Sequence, residues 1–478
     1  MPNLRSAKTV KQETPHYTRD LVNFLAGLQP SGLAEGVVDR GRYLLLDYLG
    51  VAIRGSCSES SAPVYRMIDR MRMIDCMAAP GSATVIGKSI RTLPGYAALA
   101  NGTAAHAIEL DDTHNAGSIH LGVVMFSTAL ALAETLPDIQ LDQFFTTVAA
   151  GYEAAARIAM AVQPKEHYLL GFHPTSTCGV FGAAVTASKL LGLTADQMLS
   201  AVGIAGSMTA GSLEFLADGA WTKRLHPGLA AQNGIQAAML AAEGFRGPSR
   251  ILDGRDGFLK GYSRRPLPDL LTDGLGESFE ILRTSVKPYA CCRYMQGPID
   301  AILALVHEHD IRPAQVRQIE VAVLKAGWPL VVEPRDQKYH PKSVVEAQFS
   351  MPYGAAVAVI DRAAGLEQFS AARLQSPDLH GFMDKVVMTE NPEIEKTFPE
   401  EWPAVAIIHL EDGRSFENMI RHPKGDPKNP LTWPELIAKF RALAGPVLPP
   451  DRLEQIVAQV KTGDSLAGLT TLCTPYEN

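Results

Sequence analysis

The sequence lacks the features that mark several classes of protein. Its 478 residues include only six cysteines, and none stands in a CxxC pair or at a zinc-like spacing from histidine, which argues against structural zinc and a disulfide framework. Acidic residues outnumber basic ones by 51 to 44 and neither sign forms a long tract, so the chain offers no broad surface for nucleic acid. We expect a protein of the reducing cytoplasm whose anion sites are built from a few placed cations.

Long apolar runs are missing as well. The longest apolar stretch, residues 121–136, is interrupted by Ser127, Thr128 and Glu134, which predicts a buried helix rather than a membrane span. The first twenty residues contain no apolar segment of the kind that an export signal carries. We therefore expect no export signal and no membrane partner.

The first part of the sequence has a long helical pattern. Alanine-rich and leucine-rich segments separated by Gly, Pro and Asn fill residues 18–265 and predict an all-α bundle. The predicted helices cover residues 37–51, 94–106, 123–135, 141–161, 179–191, 194–205 and 229–243.

Near residue 275 short strand patterns begin to alternate with helices. Strands are predicted at 278–282, 318–324 and 404–410, with a hairpin turn at 411–413, and helices at 297–307, 352–363, 370–374, 432–444 and 450–460. We predict a mainly α protein with a large all-α helical domain (1–275), a smaller inserted α+β domain (276–425) and C-terminal helices (426–478) that rejoin the helical domain. The length of the chain fits two or three domains.

The densest polar group lies in residues 101–122. If the helix continues through Asp112, Glu109 shares a helix face with Asp112 and Thr113, which would direct carboxylates and a hydroxyl at one spot. The alternative is a helix-ending loop whose acids cap backbone amides. His106 is interpreted as a core residue rather than a catalyst.

A second group is the segment 171–177, where His173 precedes a proline. Proline favours an extended conformation before it, which places the imidazole just ahead of a helix N-terminus that favours anions. A histidine there suits acid or base chemistry, because its ordinary pKa is close to neutral. The alternative is simple capping of the helix by Thr175 or Ser176.

A third group combines Lys223, Arg224 and His226 just ahead of the predicted helix 229–243. Three potentially cationic side chains beside a helix N-terminus would form a compact receptor for one or two carboxylates. A solvated basic loop is the alternative, although the surrounding sequence is apolar and would make unused charges costly.

Two further segments carry little meaning alone. Residues 287–294 contain Cys291, Cys292 and Arg293, and residues 349–353 end at Tyr353. Adjacent cysteines are commonly buried small hydrophobes, and a tyrosine can be a plain packing residue.

These five segments, in this order and at these intervals, resemble the MmgE/PrpD family, which includes 2-methylcitrate dehydratase, cis-aconitate decarboxylase and iminodisuccinate epimerase. The similarity covers about residues 18–465. It implies a large helical domain, a smaller α+β lid inserted into it, an active site between them and a homodimer. It also implies that no metal and no organic cofactor take part.

The resemblance assigns roles to individual residues. It carries the family's active-site threonine to Thr113, its loop histidine to His120, the histidine of its Phe-His-Pro motif to His173, its lysine to Lys223 and a lid tyrosine to Tyr353.

The chain also departs from one branch of the family. In the decarboxylase branch an aspartate stands where this chain has Glu109 and a lid histidine where it has Cys292, and His120 aligns only after a shift of one residue. These departures argue against the decarboxylation of cis-aconitate. The segment 172–182 is similar to the epimerase branch.

We therefore expect a cofactor-independent lyase or isomerase that abstracts a proton next to a carboxylate of a small di- or tricarboxylate. The expected catalytic residues are His173, His120, Lys223, Tyr353, Thr113 and Asp112, and the expected substrate-binding residues are Glu109, Arg224, His226, Cys292 and Arg293. A hydro-lyase like 2-methylcitrate dehydratase ranks first and an epimerase or racemase like iminodisuccinate epimerase second. A decarboxylase and a non-catalytic carboxylate-binding protein rank below both.

The homodimer can be tested directly. Sedimentation equilibrium of the purified protein is expected to give twice the chain mass of 51.5 kDa. A measured mass near that of the single chain would contradict the dimer.

Overall fold

The computed structural model describes residues 15–73, 82–136, 139–398 and 401–475. Helices dominate these ranges, which confirms the mainly α class. The helices up to residue 262 are α1 (Tyr17–Gly27), α2 (Val37–Gly55), α3 (Ala62–Met73), α4 (Pro94–Ala105), α5 (Gly122–Ala133), α6 (Leu141–Ala161), α7 (Pro164–Leu169), α8 (Pro174–Thr177), α9 (Gly179–Leu190), α10 (Ala195–Ala205), α11 (Thr222–Ala242) and α12 (Phe258–Tyr262). Those that follow are α13 (Arg293–Glu308), α14 (Trp328–Val331), α15 (Arg335–Tyr339), α16 (Val344–Gln348), α17 (Met351–Ile360), α18 (Ala371–Leu374), α19 (Pro377–Met383), α20 (Pro392–Glu395), α21 (Trp433–Ala444), α22 (Pro450–Thr462) and α23 (Leu469–Leu472).

Short strands form three small sheets in the described part of the chain. The strands are β1 (Ala83–Val85), β2 (Ile90–Thr92), β3 (Thr113–His114), β4 (Thr284–Ser285), β5 (Val316–Ala322), β6 (Val386–Thr389), β7 (Ala404–Leu410) and β8 (Ser415–Ile420). The largest sheet has the order β6-β5-β7-β8, in which β5 and β6 are parallel and the other pairs antiparallel. The predicted turn at 411–413 joins β7 to β8, and α13 packs against both of these strands.

The core of the first region is built on helices that are apolar nearly all round. Every residue of α5 from Gly122 to Leu132 is buried, as expected of a helix surrounded by other helices. The predicted buried helix in the stretch 121–136 is therefore confirmed. Among the described helices, none has both the length and the apolar character that crossing a membrane requires.

Glycines allow α4 and α11 to cross at close range. A Cβ atom on Gly102 would lie 2.8 Å from the Cα of Gly228, and one on Gly228 would overlap the carbonyl oxygen of Leu99. Because only glycine permits two backbones to approach so closely, these residues fix the position of the first turns of α11 relative to the loop after α4. Both elements contribute to the site described below.

A short antiparallel pairing joins distant parts of the sequence. β3 pairs with β4, with Thr113 opposite Ser285 and His114 opposite Thr284. Next to it, the buried His114 Nε2 lies 2.8 Å from a carboxylate oxygen of Glu280. The loop after α4 is thus tied to the segment that leads into residues 287–293.

Two predictions about strands need correction. The first region is not wholly helical, because β1 and β2 form a hairpin that the side chain of Asn101 holds through bonds to Ile86 N (2.8 Å) and Thr84 O (3.0 Å). The predicted strand 278–282 is a 3-10 turn over Glu280–Arg283. The backbone N–H of Glu280 donates to the buried carboxylate of Glu153 at 2.8 Å, and this anchor favours a turn over a strand.

One predicted helix start, that of the helix 229–243, is wrong, and of the two alternatives for residues 101–122 the helix-ending loop is the correct one. α4 ends at Ala105 and Glu109 has a positive φ of 57°, so Glu109, Asp112 and Thr113 do not share a helix face. α11 begins at Thr222 and runs through Pro227, so the basic group lies in its first turns rather than ahead of it. A proline is tolerated near a helix start because few backbone N–H groups there have intrahelical partners.

The C-terminal helices return to the first region. α21 packs on α2, where Lys439 Nζ donates to Asp47 Oδ1 at 2.6 Å and the phenol of Tyr43 donates to the carbonyl of Leu431 at 3.0 Å. Lys439 also donates to the carbonyl of Leu110 at 2.8 Å, which anchors the loop after α4 from outside. The division of the chain into domains stays a prediction.

The helix crossing can be tested with Gly228→Ala. The added methyl group must push α4 and α11 apart, and overpacking of this kind costs about 1–3 kcal/mol. We expect a lower midpoint in urea unfolding monitored by circular dichroism. Gly95→Ala in α4 is the matched control, because its Cβ would meet its nearest atom at an ordinary 3.7 Å; equal midpoints for the two variants would contradict the close crossing.

Candidate active site

One cavity is lined by side chains from the first, helical region and from residues that follow β4. It is lined by Glu109, Thr113, Ser118, His120, Tyr168, His173, Leu213, Phe215, Lys223, Lys287, Cys292, Arg293, Tyr294, Leu330 and Phe349. Its volume of about 40 Å³ has room for a few waters, since about 10–15 Å³ is enough for one. A polycarboxylate therefore enters only when the lining side chains move apart.

Two lysines and one carboxylate form the charged wall of the cavity. Glu109 accepts a short ion-paired hydrogen bond from Lys223, while Lys287 Nζ lies 3.2 Å from the Glu109 carbonyl and 3.4 Å from its Oε2. All three residues are buried. The positive φ of Glu109 turns the chain so that both its backbone and its side-chain oxygens meet ammonium groups.

The charges in this wall shift one another's pKa values. Burial alone would raise the pKa of Glu109, but the ammonium groups of Lys223 and Lys287 hold it well below its usual range. Burial lowers the pKa of Lys223 although Glu109 works against this, whereas for Lys287 the attraction of Glu109 and Asp111 outweighs burial and raises the pKa. Lys287 is thus the more firmly charged of the two lysines.

Asp111 holds two imidazoles with one carboxylate oxygen. Its Oδ2 lies 2.8 Å from His106 Nδ1 and 2.9 Å from His120 Nδ1. His120 Nδ1 also lies 2.8 Å from the carbonyl oxygen of Asp112. Both of these oxygens are acceptors, so Nδ1 of His120 carries the proton and Nε2 is the basic atom.

The protonation of this triad follows from its burial. Burial lowers the pKa of His120 to about 4, although Asp111 raises it, so the ring is neutral at neutral pH. The pKa of Asp111 is held well below its usual range by His106 and His120, against the effect of burial. His106 is fully buried, and its Nε2 has no partner among the residues that the structure describes.

The same three residues are the one group in the described ranges with a metal-like set of ligands, with their ligand atoms within 4.8 Å of one another. The distances of 2.8 and 2.9 Å are those of hydrogen bonds, whereas ligand atoms around a tetrahedral zinc at about 2.0–2.2 Å lie about 3.4 Å apart. The geometry fits a hydrogen-bonded triad better than a metal centre.

His173 faces the cavity from the start of α8. It has an extended backbone, as Pro174 predicts, and its carbonyl accepts from the N–H groups of Ser176 and Thr177 at 3.1 and 3.2 Å. Its Nδ1 lies 2.9 Å from Nδ1 of His226, which leaves Nε2 for a ligand. Burial, together with His226 and Lys223, holds the pKa of His173 well below its usual value.

Arg293 and Cys292 also line the cavity. Arg293 donates to Asn115 Oδ1 at 3.0 Å and to Asp426 Oδ2 at 3.1 Å. Its buried Nη1 has no hydrogen-bond partner within the described part of the chain. Burial raises the pKa of Cys292, which keeps the thiol protonated and argues against a thiolate nucleophile.

A hydroxyl-rich patch lies beside these groups. The phenol of Tyr168 is 2.8 Å from Ser118 Oγ, and Tyr294 also lines the cavity. Ser118 has a positive φ of 47°, and a residue that is held in this sparsely populated region at a cavity wall marks a constrained position.

Several predicted site residues line the cavity and several do not. Thr113, His120, His173, Lys223, Glu109, Cys292 and Arg293 line it, whereas Asp112, Tyr353, Arg224 and His226 are absent from its wall. Arg224 donates to Ser60 Oγ at 3.2 Å, because adjacent residues on a helix point about 100° apart. Tyr353 is fully buried and its phenol donates to the carbonyl of Gln368 at 2.7 Å.

Asp112 has a structural position next to the site. It accepts from Gly122 N at 2.9 Å and from the phenol of Tyr152 at 2.7 Å, which fixes the loop against α5 and α6. Burial raises the pKa of Asp112 to about 7.

The sequence interpretation missed Asp111, Lys287 and the two tyrosines. Lys287 begins the segment 287–294, and its sequence signal is a lysine in the apolar surroundings of Cys291. Nothing in the sequence distinguishes Asp111 from Asp112, since neighbouring residues in a loop can point in any direction.

Two family models match most of the chain. Residues 19–270 match the model of the MmgE/PrpD N-terminal domain and residues 289–462 that of the MmgE/PrpD C-terminal domain. The chain therefore belongs to the MmgE/PrpD family, and the resemblance drawn from the five segments is confirmed.

Curated relatives match over nearly their full length. The chain is 29% identical to the cis-aconitate decarboxylase-like protein oryM of Aspergillus oryzae, covering 97% of this chain and 98% of that protein. It is 27% identical to a cis-aconitate decarboxylase of Aspergillus terreus, covering 95% of this chain and 94% of the relative. The corresponding protein of Mus musculus is 28% identical, with 95% and 92% covered. These matches support an enzyme of the lyase type.

The two neighbouring aspartates make a matched pair for mutagenesis. Asp111→Asn removes the anion that orients His106 and His120, and we expect kcat to fall about 100-fold or more, the scale of general base catalysis, with a small change in KM because both lysines remain. Asp112→Asn should lower the midpoint of thermal unfolding and leave kcat nearly unchanged. Steady-state kinetics and thermal unfolding of both variants measure this, with the substrate found as described under Proposed function; equal rate losses in the two variants would contradict the role of Asp111.

Proposed function

We propose that the protein is a cofactor-independent lyase that removes a proton next to a carboxylate of a small di- or tricarboxylate, with dehydration of a 2-methylcitrate-like hydroxy acid as the first candidate reaction. One observation carries the proposal: two buried lysines and two neutral imidazoles line the same cavity. Cations that bind a carboxylate and bases that reach its neighbouring carbon are what this chemistry needs.

The cations bind and activate the substrate. Lys223 and Lys287 share one carboxylate of the protein, Glu109. Each ammonium group has three N–H donors, so both lysines can also donate to a substrate carboxylate. The free Nη1 of Arg293 offers a third contact for a second carboxylate. As the proton leaves, negative charge grows on the bound carboxylate, and cations that are buried and fixed in place stabilise it strongly.

The imidazoles move the proton. Nε2 of His120, made basic by the bonds of its Nδ1 to Asp111 and Asp112, and Nε2 of His173 are the candidate bases. Burial lowers the pKa values of both rings, and a bound polyanion is expected to raise both values. In a dehydration the C–H electron pair becomes the second bond of the alkene, the C–O bond breaks, and the hydroxide leaves as water after taking a proton.

Two other outcomes use the same groups. Two separate imidazoles on one cavity would allow one ring to remove a proton and the other to return it to the opposite face, which is epimerisation. The relatives named cis-aconitate decarboxylase favour loss of CO₂ with protonation of the resulting carbanion. Against the latter, Glu109 and Cys292 replace the aspartate and histidine that the resemblance assigns to the decarboxylase branch.

Proton NMR in deuterated water with a panel of small acids tests the proposal. The panel contains 2-methylcitrate, citrate, cis-aconitate, iminodisuccinate, malate and tartrate. We expect loss of the signal of a proton next to a carboxylate, together with new alkene signals. Exchange without a new compound would indicate an epimerase, and itaconate from cis-aconitate would indicate a decarboxylase.

Variants separate catalysis from binding. His173→Ala and His120→Ala should each lose most of the rate while keeping substrate affinity, measured by calorimetry, because the lysines remain. Lys287→Met should instead weaken affinity. A protein that binds a panel acid but turns over none of the panel would contradict the lyase and support the non-catalytic binding protein.

A further inference from the structure

A second cavity lies on the other side of the His173–His226 pair. It measures about 490 Å³, more than ten times the volume of the catalytic cavity, and it is open to the surface. His226 lines the second cavity and His173 the catalytic one, while Phe215 lines both. The two imidazoles and the ring of Phe215 therefore lie between the two cavities.

The contact between the two histidines constrains their protons. The atoms that meet are both Nδ1, at 2.9 Å, and a hydrogen bond between two imidazole nitrogens needs one donor and one acceptor. When both rings are neutral, one of them is protonated at Nδ1 and the other at Nε2. The pair thus has two states, in which Nε2 of His173 is either a free base or a protonated acid.

We propose that His226 is a proton-relay residue that connects His173 to the second cavity and resets it between its basic and acidic states. The inference rests on the proposed function, because it assumes that His173 exchanges a proton with the substrate. It gives His226 a role different from the substrate contact expected from the sequence, since His226 is absent from the wall of the catalytic cavity.

The proton balance of the relay is simple. In the basic state His173 donates its Nδ1 proton to Nδ1 of His226, and His226 holds its own proton on Nε2. The substrate proton binds Nε2 of His173, the Nδ1 proton passes to His226, and the Nε2 proton of His226 leaves to water in the second cavity. One proton enters, one leaves, and the pair ends in the acidic state; the reverse sequence restores the base.

The surroundings favour a neutral pair that passes protons on. The charged and titratable groups that face the pair are His106 from the end of α4, His120 from the following loop and Lys223 from α11. All are cationic when charged, so they oppose a long-lived imidazolium. Glu214 and Asp218 line the second cavity and place acidic groups near the exit.

The backbone holds both rings in place for this transfer. The N–H of His173 donates to the carbonyl of Gly211 at 2.9 Å. His226 lies in the first turns of α11, directly before the glycine that fixes the crossing with α4. A transfer between two fixed nitrogens at hydrogen-bond distance needs no rearrangement of the chain.

Three variants test the relay in the full-length protein. In His226→Asn the amide can hydrogen-bond to His173 Nδ1 but cannot pass a proton, so we expect kcat to fall about tenfold or more, within the range of acid–base catalysis, with KM little changed. In His226→Ala the rate should fall similarly and recover severalfold when free imidazole is added, because the second cavity admits it. His167→Ala is the matched control, since His167 is also buried beside α8 but lines neither cavity; free imidazole should have no effect on it.

Isotope exchange distinguishes a relay from a packing role. Without the relay, the proton on His173 returns to the substrate instead of exchanging, so the ratio of solvent deuterium incorporation to product formation should fall in both His226 variants. An unchanged ratio, or wild-type kinetics in His226→Asn, would overturn the proposal. Loss of rate that imidazole does not restore, together with an unchanged ratio, would indicate packing alone.

The shared proton can also be detected by NMR without any measurement of activity. In protein labelled with ¹⁵N-histidine, one Nδ1–H proton should couple to the nitrogens of both rings, and the signal should vanish in His226→Asn. Its absence from the wild-type protein would refute the relay whatever the substrate. Wild-type protein that is inactive on every panel acid would instead refute the proposed function while leaving the shared proton observable.

Discussion

The buried ion pairs of Glu109 with Lys223 and Lys287 are the constraint on which the rest of the site depends. Two ammonium groups inside a protein are tolerated only when a carboxylate is close, and removing one partner of such a pair leaves a costly uncompensated charge. Glu109 lies in the loop after α4 and has a positive φ. This geometry directs its carboxylate at the two ammonium groups. The close crossing of α4 and α11 then brings Lys223 to it, and the β3–β4 pairing lies just before Lys287.

Under the proposed function, the same constraint is compatible with several reactions. Dehydration, epimerisation and decarboxylation all pass through negative charge on a carbon next to a carboxylate, and the lysines stabilise that charge whichever bond breaks. What differs is the fate of the proton, which in the proposed function depends on His120, held by Asp111, and on His173, held by His226. The relatives share 27–29% identity with this chain. Identity at this level is compatible with a different reaction in the same family.

Much of the fold followed from the sequence because its signals are local. Apolar periodicity predicted α2, α5, α6 and α9 to within a few residues, and the turn at 411–413 predicted the β7–β8 hairpin. The errors arose where tertiary contacts override local preference: α11 continues through Pro227, and side-chain anchors replace a strand at residues 280–283. In the site, residue types correctly predicted His173 and Lys223. The direction in which a side chain points cannot be predicted from residue type, so the sequence predicted Asp112 instead of Asp111. For the same reason it placed Tyr353 in the cavity, whereas its phenol contacts the carbonyl of Gln368.

The β3–β4 pairing has a consequence for how the site responds to a ligand. It locks Thr113 beside Ser285, two residues before Lys287, and the contact of His114 with Glu280 reinforces this junction. A carboxylate that pulls on Lys287 therefore also pulls on the loop that carries Glu109, Asp111 and His120. Substrate binding at the lysines and the position of the imidazole are therefore coupled. An acid that fits the lysines poorly would also leave His120 misaligned. The enzyme would then discriminate between acids by their turnover rates more than by their affinities.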